Sequence, residues 1–194
     1  MKSLTVTALV LACVLRLTNC YADEERTQDV ERTQEQINAA KDFGVEGMNF
    51  TNTTPQTIRN KWASAARYEK ECDAKIGWET WRVDKTANTD GIDFSFVNGK
   101  LESMWVWYFR QRIDKMGGFE VFPKRITDKL GKPDIGQRNA EQDELLRFDW
   151  VIPEASRFIR LIWYKDQKTT LYIVDRNLRN ALEEKQKASA NTGF

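Results

Sequence analysis

Residues 92–109 have the sequence Ile-Asp-Phe-Ser-Phe-Val-Asn-Gly-Lys-Leu-Glu-Ser-Met-Trp-Val-Trp-Tyr-Phe. Two runs rich in aromatic and β-branched residues, which favour strands, flank the dipeptide Asn98-Gly99. Both central residues of a type I′ turn need a positive φ angle, which Asn and Gly tolerate best. The stretch therefore predicts a β-hairpin with strands at Ile92–Val97 and Lys100–Phe109.

The elements around this hairpin occur twice along the chain. Thr54 and Pro55 form the N-cap and first turn of one predicted helix. Pro123 at the first helical position and Gly131 as C-cap mark a second helix, and the two prolines lie 68 positions apart. Three strands are predicted after each helix: Ile76–Val83, Ile92–Val97 and Lys100–Phe109 in the first copy, then Leu145–Ile152, Arg157–Lys165 and Thr169–Asp175 in the second.

This order of elements predicts an α+β fold of two tandem αβββ repeats, with helices packed on an antiparallel sheet. The first repeat spans residues 49–117 and the second spans residues 118–175. Residues 176–194 form a C-terminal helix and a loose tail, with Leu178 and Leu182 as the apolar contacts of the helix.

The element order over about residues 50–175 resembles the beta-lactamase inhibitor protein family and, more distantly, the small outer-membrane assembly lipoproteins. The resemblance lies in the order of elements, and no residue motif accompanies it. It implies a protein that binds other proteins in the cell envelope.

The N-terminus predicts export. Residues 1–22 contain a basic start, a largely apolar segment of twelve residues, Leu4–Leu15, and a small residue, Ala22, before an acidic one. This is the pattern of a cleaved signal peptide, and twelve residues span only about 18 Å as a helix, too short for a membrane. The protein is therefore expected in the periplasm or outside the cell. We favour this over a lipoprotein anchored at Cys20, because Asn19 stands where a smaller residue is usual.

A polar leader, flexible or weakly helical, is predicted for residues 23–48. Beyond the signal peptide no segment is apolar enough to cross a membrane, so no integral membrane segment is expected in the mature chain. Cys72 would be the only cysteine of the mature chain, so the fold would depend on packing without an internal disulfide. The sequence leaves the oligomeric state open.

The composition argues against several classes of function. The chain has 30 basic and 29 acidic residues, and loss of Lys2 and Arg16 with the signal leaves a net charge of −1. Nucleic-acid binding requires a concentrated basic surface, so no nucleic-acid partner is expected. The chain has no histidine, which removes imidazole catalysis and histidine-ligated zinc. We expect no metal and no cofactor.

The hairpin strand also predicts a binding surface. Trp105, Trp107 and Phe109 alternate with Met104, Val106 and Tyr108, so both faces of this strand are apolar and need cover. One hypothesis is that other parts of the chain cover both faces. The other is that the tryptophan face binds a protein partner, since tryptophan is enriched in binding hot spots. The predicted partner-binding residues are Trp105, Trp107 and Phe109, with Trp78, Trp81 and Trp163 as neighbours.

We therefore expect an exported binding module without enzyme activity. The alternative is a small hydrolase that acts on glycans with two carboxylates and tryptophan platforms, a chemistry that needs no histidine. Asp143, Glu144 and Asp149 are the candidate carboxylates for it, although Asp149 would equally serve as an ion-pair partner of Arg147 or Arg160.

Overall fold

The computed structural model describes residues 30–137, 144–166 and 168–191. The predicted signal peptide, with Cys20, lies outside these residues. So do residues 23–29 of the leader, Asp143 and the last three residues of the tail.

Eight antiparallel strands form one sheet in the order β1-β2-β3-β4-β8-β7-β6-β5. The short strands β1 and β5 lie at its two edges, and β4 pairs with β8 at its centre. The antiparallel α+β class predicted from the sequence is therefore confirmed. The strands are β1 (Ala66–Arg67), β2 (Trp78–Asp84), β3 (Gly91–Val97), β4 (Lys100–Tyr108), β5 (Ile135–Gln137), β6 (Glu144–Ile152), β7 (Arg157–Tyr164) and β8 (Thr169–Asp175).

Five α-helices and two short 3₁₀ helices complete the described part of the chain. The α-helices are α1 (Gln34–Lys41), α2 (Pro55–Lys61), α3 (Arg110–Lys115), α4 (Val121–Leu130) and α5 (Arg176–Asn191). The 3₁₀ helices are η1 (Glu69–Glu71) and η2 (Pro153–Ala155).

The main hydrophobic core lies on one side of the sheet, which we call the helix face. Alternate strand residues such as Phe94 and Met104 are fully buried there, and Ile58 of α2 and Leu130 of α4 belong to the same cluster. Because side chains alternate along a strand, Trp105 next to Met104 lies on the other side of the sheet. We call that side the open face.

The hydrogen-bonding register relates the two halves of the sheet. Trp105 of β4 pairs with Asp93 of β3, and Tyr172 of β8 pairs with Arg160 of β7. Each residue of the second pair lies 67 positions after its counterpart in the first. Trp105 and Tyr172 also pair with each other, so the strand order is symmetric about the β4–β8 ladder. This register supports the tandem duplication, which stays a prediction.

The turn and cap signals read from the sequence occur where they were expected. Thr54 caps α2 in a capping box with Thr57, and Pro55 occupies the first turn. Asn98 and Gly99 have φ angles of 51° and 75°, as the hairpin turn requires. Gly131 is the C-cap of α4.

The start of α4 differs from the prediction. Pro123 was placed at the first helical position, but the helix begins two residues earlier, at Val121. A proline at the third position is tolerated because the first four backbone N–H groups of a helix have no intrahelical acceptor. Proline therefore marks the first turn of a helix and does not fix its first residue.

Part of the predicted leader is folded, which corrects the expectation of a flexible or weakly helical segment. Thr33 and Gln36 form a capping box at the start of α1, and Ala40 is fully buried in the main core. Arg32 donates to Asp134 at 2.7 Å, and both side chains are nearly buried. These contacts tie residues 30–41 to the second half of the fold.

The α2 cap gives a test of the fold. Replacing Thr54 with Ala removes the hydroxyl that accepts from the Thr57 N–H at 3.2 Å. We expect a loss of about 1 kcal/mol in the free energy of unfolding, measured by urea titration. Gln56→Ala, an exposed change in the same helix, is the control and is expected to shift the free energy by no more than about 0.5 kcal/mol. Equal effects of the two changes would contradict the role of the cap.

Candidate functional site on the open face of the sheet

One residue from each strand lies in register across the whole open face. Antiparallel partners directly opposite each other point to the same side, so these eight side chains share this face. We call this set the central row: Ala66, Arg82, Asp93, Trp105, Tyr172, Arg160, Asp149 and Ile135.

Trp105 lies at the centre of this row and is 42% exposed. All seven tryptophans are among the described residues, and Trp105 is the only exposed one. Its ring contacts the ring of Tyr172 with centroids 5.5 Å apart and planes tilted by 55°. A large aromatic side chain held in one position at the surface is the typical centre of a binding hot spot.

The first half of the row carries a cation held between two rings. Arg82 donates two hydrogen bonds of 2.7 Å to Asp93, one to each carboxylate oxygen. Its guanidinium carbon lies 4.4 Å from the ring centroid of Tyr68 and 5.6 Å from that of Trp107. Two ion-pair bonds and two cation–π contacts fix this side chain in a single arrangement.

Trp107 lies flat on the sheet because its neighbour in β3 has no side chain. A Cβ atom at Gly91 would approach the indole ring to 2.1 Å, so no other residue fits beneath it. Glycine at position 91 therefore allows the Trp107 ring to approach the β3 backbone closely.

The second half of the row carries the opposite order of charges. Asp149 is fully buried, accepts from Arg147 at 2.6 Å and accepts from Arg160 at 2.8 Å. The Arg160 guanidinium also lies 4.9 Å from the ring centroid of Phe158. The Asp149 carboxylate is therefore engaged by two guanidinium groups and has no exposed surface, which argues against contact between Asp149 and a substrate.

Helix α5 covers one end of the open face. Leu182 is buried in a small separate cluster with Ile76, Val97 and Trp78. Arg179 donates to the Glu102 carboxylate at 2.5 Å. The helix therefore occupies the end of the face where β2 begins and leaves Trp105 exposed.

Glu102 is the extra residue of a β-bulge, since Ser95 pairs with Ser103 and Phe96 pairs with Leu101. Its side chain is fully buried. Burial raises the pKa of Glu102, because lost hydration outweighs the attraction of the Arg179 guanidinium.

The structure separates the tryptophans that were predicted to be neighbours. Trp105 and Trp107 share the open face, and Phe109 follows directly after β4 with 55% of its surface exposed. Trp78 also belongs to this face but is half-buried in the α5 cluster.

Trp81 and Trp163 lie on the helix face and pack against the main core, so they do not line the surface around Trp105. Trp163 stacks on Phe119 with centroids 4.7 Å apart. Trp81 pairs with Phe94, a core residue. The correction has a simple cause: a run of strand residues does not say which alternate set faces the helices.

Several residues of the site were not predicted from the sequence. Tyr68, Arg82 and Asp93 form one side of the surface, and Tyr172 forms the other. Their arrangement depends on cross-strand register between segments distant in sequence. The available signal was the pairing of opposite charges across the hairpins, which becomes specific only when the register is known.

Comparisons with known proteins add no functional information. The chain matches no family model, and searches of curated proteins and of solved structures also find no match. Among the described residues, no three His, Cys, Asp or Glu side chains are grouped so that they could hold a metal ion. No helix in the same part of the chain is long and apolar enough to cross a membrane.

The raised pKa of Glu102 predicts the pH dependence of stability. The folded pKa lies above the unfolded value, so the carboxyl group favours the folded state most at low pH. This contribution is lost as the pH rises through the folded pKa. Burial and the charge of Asp93 also raise the pKa of Glu71, which contributes in the same direction.

Glu102→Gln is therefore expected to remove part of the fall in stability with rising pH. The measurement is the free energy of urea unfolding between about pH 4 and about pH 8. The exposed change Glu184→Gln is the control and should leave the curve unaltered. Parallel curves for wild type and Glu102→Gln would contradict the prediction.

Proposed function

We propose that the protein is an exported, non-enzymatic binding module that holds a protein partner on the open face around Trp105. One observation carries this proposal: a tryptophan, 42% exposed, at the centre of a sheet surface whose neighbouring side chains are locked in place. Export rests on the signal-peptide pattern of residues 1–22. The resemblance in element order to a family of protein inhibitors favours the same kind of partner.

The fixed side chains favour binding. Association loses free energy when flexible side chains are ordered, at roughly 0.5–1.5 kcal/mol for each mobile one. Arg82 is already held by Asp93 and two rings, and Trp105 is held by Tyr172. The surface therefore has little ordering left to undergo when a partner arrives.

The shape of the surface favours a macromolecule. A cavity of about 700 Å³ is lined by residues of helices and loops, including Phe43, and one of about 420 Å³ lies between Phe119 and Trp163 on the helix face, so both are away from the central row. An exposed ring with ion pairs on both sides suits an apolar contact surrounded by polar groups, which is the anatomy of a protein interface.

Trp105→Ala is expected to weaken partner binding by about 2 kcal/mol or more, roughly 30-fold, without unfolding the chain. Partner retention is compared by affinity capture from the native extracellular or envelope fraction, with thermal unfolding as the check on the fold. Lys100→Ala, an exposed change at the start of the same strand, is the matched control.

The same variant reports on exposure. Acrylamide should quench wild-type tryptophan fluorescence more than that of Trp105→Phe, because the other six tryptophans are less exposed. Unfolding of Trp105→Ala, or capture equal to wild type, would contradict the proposed surface.

A glycan hydrolase is the second candidate function, and one observation favours it. Glu71, with a raised pKa, lies in η1 close enough to Asp93 and Arg82 for their charges to affect it, and the Arg82 guanidinium lies over the rings of Tyr68 and Trp107. A carboxyl group with a raised pKa near a second carboxyl group is an arrangement that such a reaction can use.

The hydrolase predicts turnover of soluble polysaccharides, measured as new reducing ends, and a loss of roughly 100-fold or more in Glu71→Gln. Glu69→Gln, in the same 3₁₀ helix, is the control. The binding module predicts no turnover by any of these proteins.

A further inference from the structure

Read from each edge toward the centre, the two halves of the central row carry their charges in opposite order. From the β2 side the row runs Arg82, Asp93, Trp105, and from the β6 side it runs Asp149, Arg160, Tyr172. Positions that correspond in the two halves therefore carry opposite charges. When this row is turned end for end and placed against the row of a second copy, each charge faces an opposite charge.

A second copy of the chain can meet this row in two orientations with a two-fold axis in the plane of contact. When the axis runs parallel to the strands between Trp105 and Tyr172, Arg82 faces Asp149 of the second copy, and Asp93 faces Arg160 of the second copy. When the axis runs along the row, each charge faces its own kind. The pattern therefore selects the first orientation and opposes the second.

We propose that the open face binds a second copy of this chain in a symmetric dimer whose two-fold axis is parallel to the strands. Trp105 of each copy then packs against Tyr172 of the other. This inference rests on the proposed function and names its partner.

Helix α5 restricts how closely the two sheets approach. It lies at the end of the face where β2 begins, through Leu182 and Trp78. The two-fold axis places both copies of α5 at the same end of the dimer. The two helices lie on opposite sides of the axis. Close contact is therefore confined to the central row and the residues toward Trp107.

The charges set orientation, and the rings supply the affinity. Asp149 is fully buried, and each charge already has an internal partner at 2.6–2.8 Å. Because these charges are already paired within the chain, only a weak electric field acts on a second copy. This field selects among orientations more than it adds affinity. Burial of Trp105 and Tyr172 is the larger contribution, since aromatic side chains dominate interface energetics.

The first test is the solution mass of the mature chain as a function of concentration, measured by sedimentation equilibrium. The wild type is expected to reach twice the chain mass, and Trp105→Ala is expected to dimerise at least about tenfold more weakly. Lys100→Ala should behave as wild type. A wild-type chain that stays monomeric at every concentration overturns the inference.

A monomeric outcome leaves the proposed function separately testable. If the monomer still captures another protein through Trp105, the binding module stands and the second copy does not. If Trp105→Ala affects neither capture nor mass, both fail.

The second test exchanges the charges in one half. The double variant Arg82→Asp with Asp93→Arg keeps an internal ion pair but makes the row symmetric, so like charges meet across the two-fold axis. Dimerisation is expected to fall by at least about tenfold while circular dichroism stays unchanged. If the double variant dimerises as strongly as the wild type, the charges do not set the orientation, and the proposed dimer geometry is overturned.

The exchange could also unfold the chain, since Arg82 contacts two rings. The salt dependence of the wild-type dimer then decides the question. Complementary charges predict weaker dimerisation between about 50 mM and about 500 mM NaCl, because salt screens them. Dimerisation that strengthens with salt would indicate an apolar contact with no preferred charge order and would contradict the proposed geometry.

Discussion

The antiparallel ladder between β4 and β8 is the constraint on which the rest of the structure depends. It joins the two halves of the sheet through six paired positions, from Ser103–Val174 to Tyr108–Thr169. Because the pleat has a period of two residues, a slip of one position would turn Trp105 toward the helices and Met104 toward solvent. The register of this single pair therefore decides which residues form the core and which form the binding surface.

The apolar character of β4 on both sides explains why the open face needs the charged residues around it. Met104, Val106 and Tyr108 are covered by the helices, whereas Trp107 is covered in part by the guanidinium of Arg82. Arginine can cover a ring and still contact water, which an apolar side chain cannot do without enlarging the exposed patch. Trp105 lacks a cation over its ring in the described contacts and keeps the largest exposed tryptophan surface.

Local signals in the sequence predicted one helix and three strands in each half, but they did not predict α1, α3, the edge strands β1 and β5, or the site. Asn98-Gly99 and Thr54-Pro55 act through their own backbone angles and hydrogen bonds, so they could be recognised without the fold. The same applies to the Thr33–Gln36 capping box, which lay in a segment too polar to suggest burial. The contacts around Arg82 join residues of different segments, and only the register of the sheet brings them together.

The reversed charges of the two halves separate two effects of an ion pair. Coulomb attraction between two neighbours depends on the product of their charges, so Arg82–Asp93 and Asp149–Arg160 stabilise their hairpins in either order. The field above the sheet depends instead on which sign stands nearer the centre. The two ion pairs alone therefore do not fix the order of the charges. The rings that contact Arg82 and the second guanidinium on Asp149 favour the observed order from within the chain, and a partner on the open face would sense it from outside.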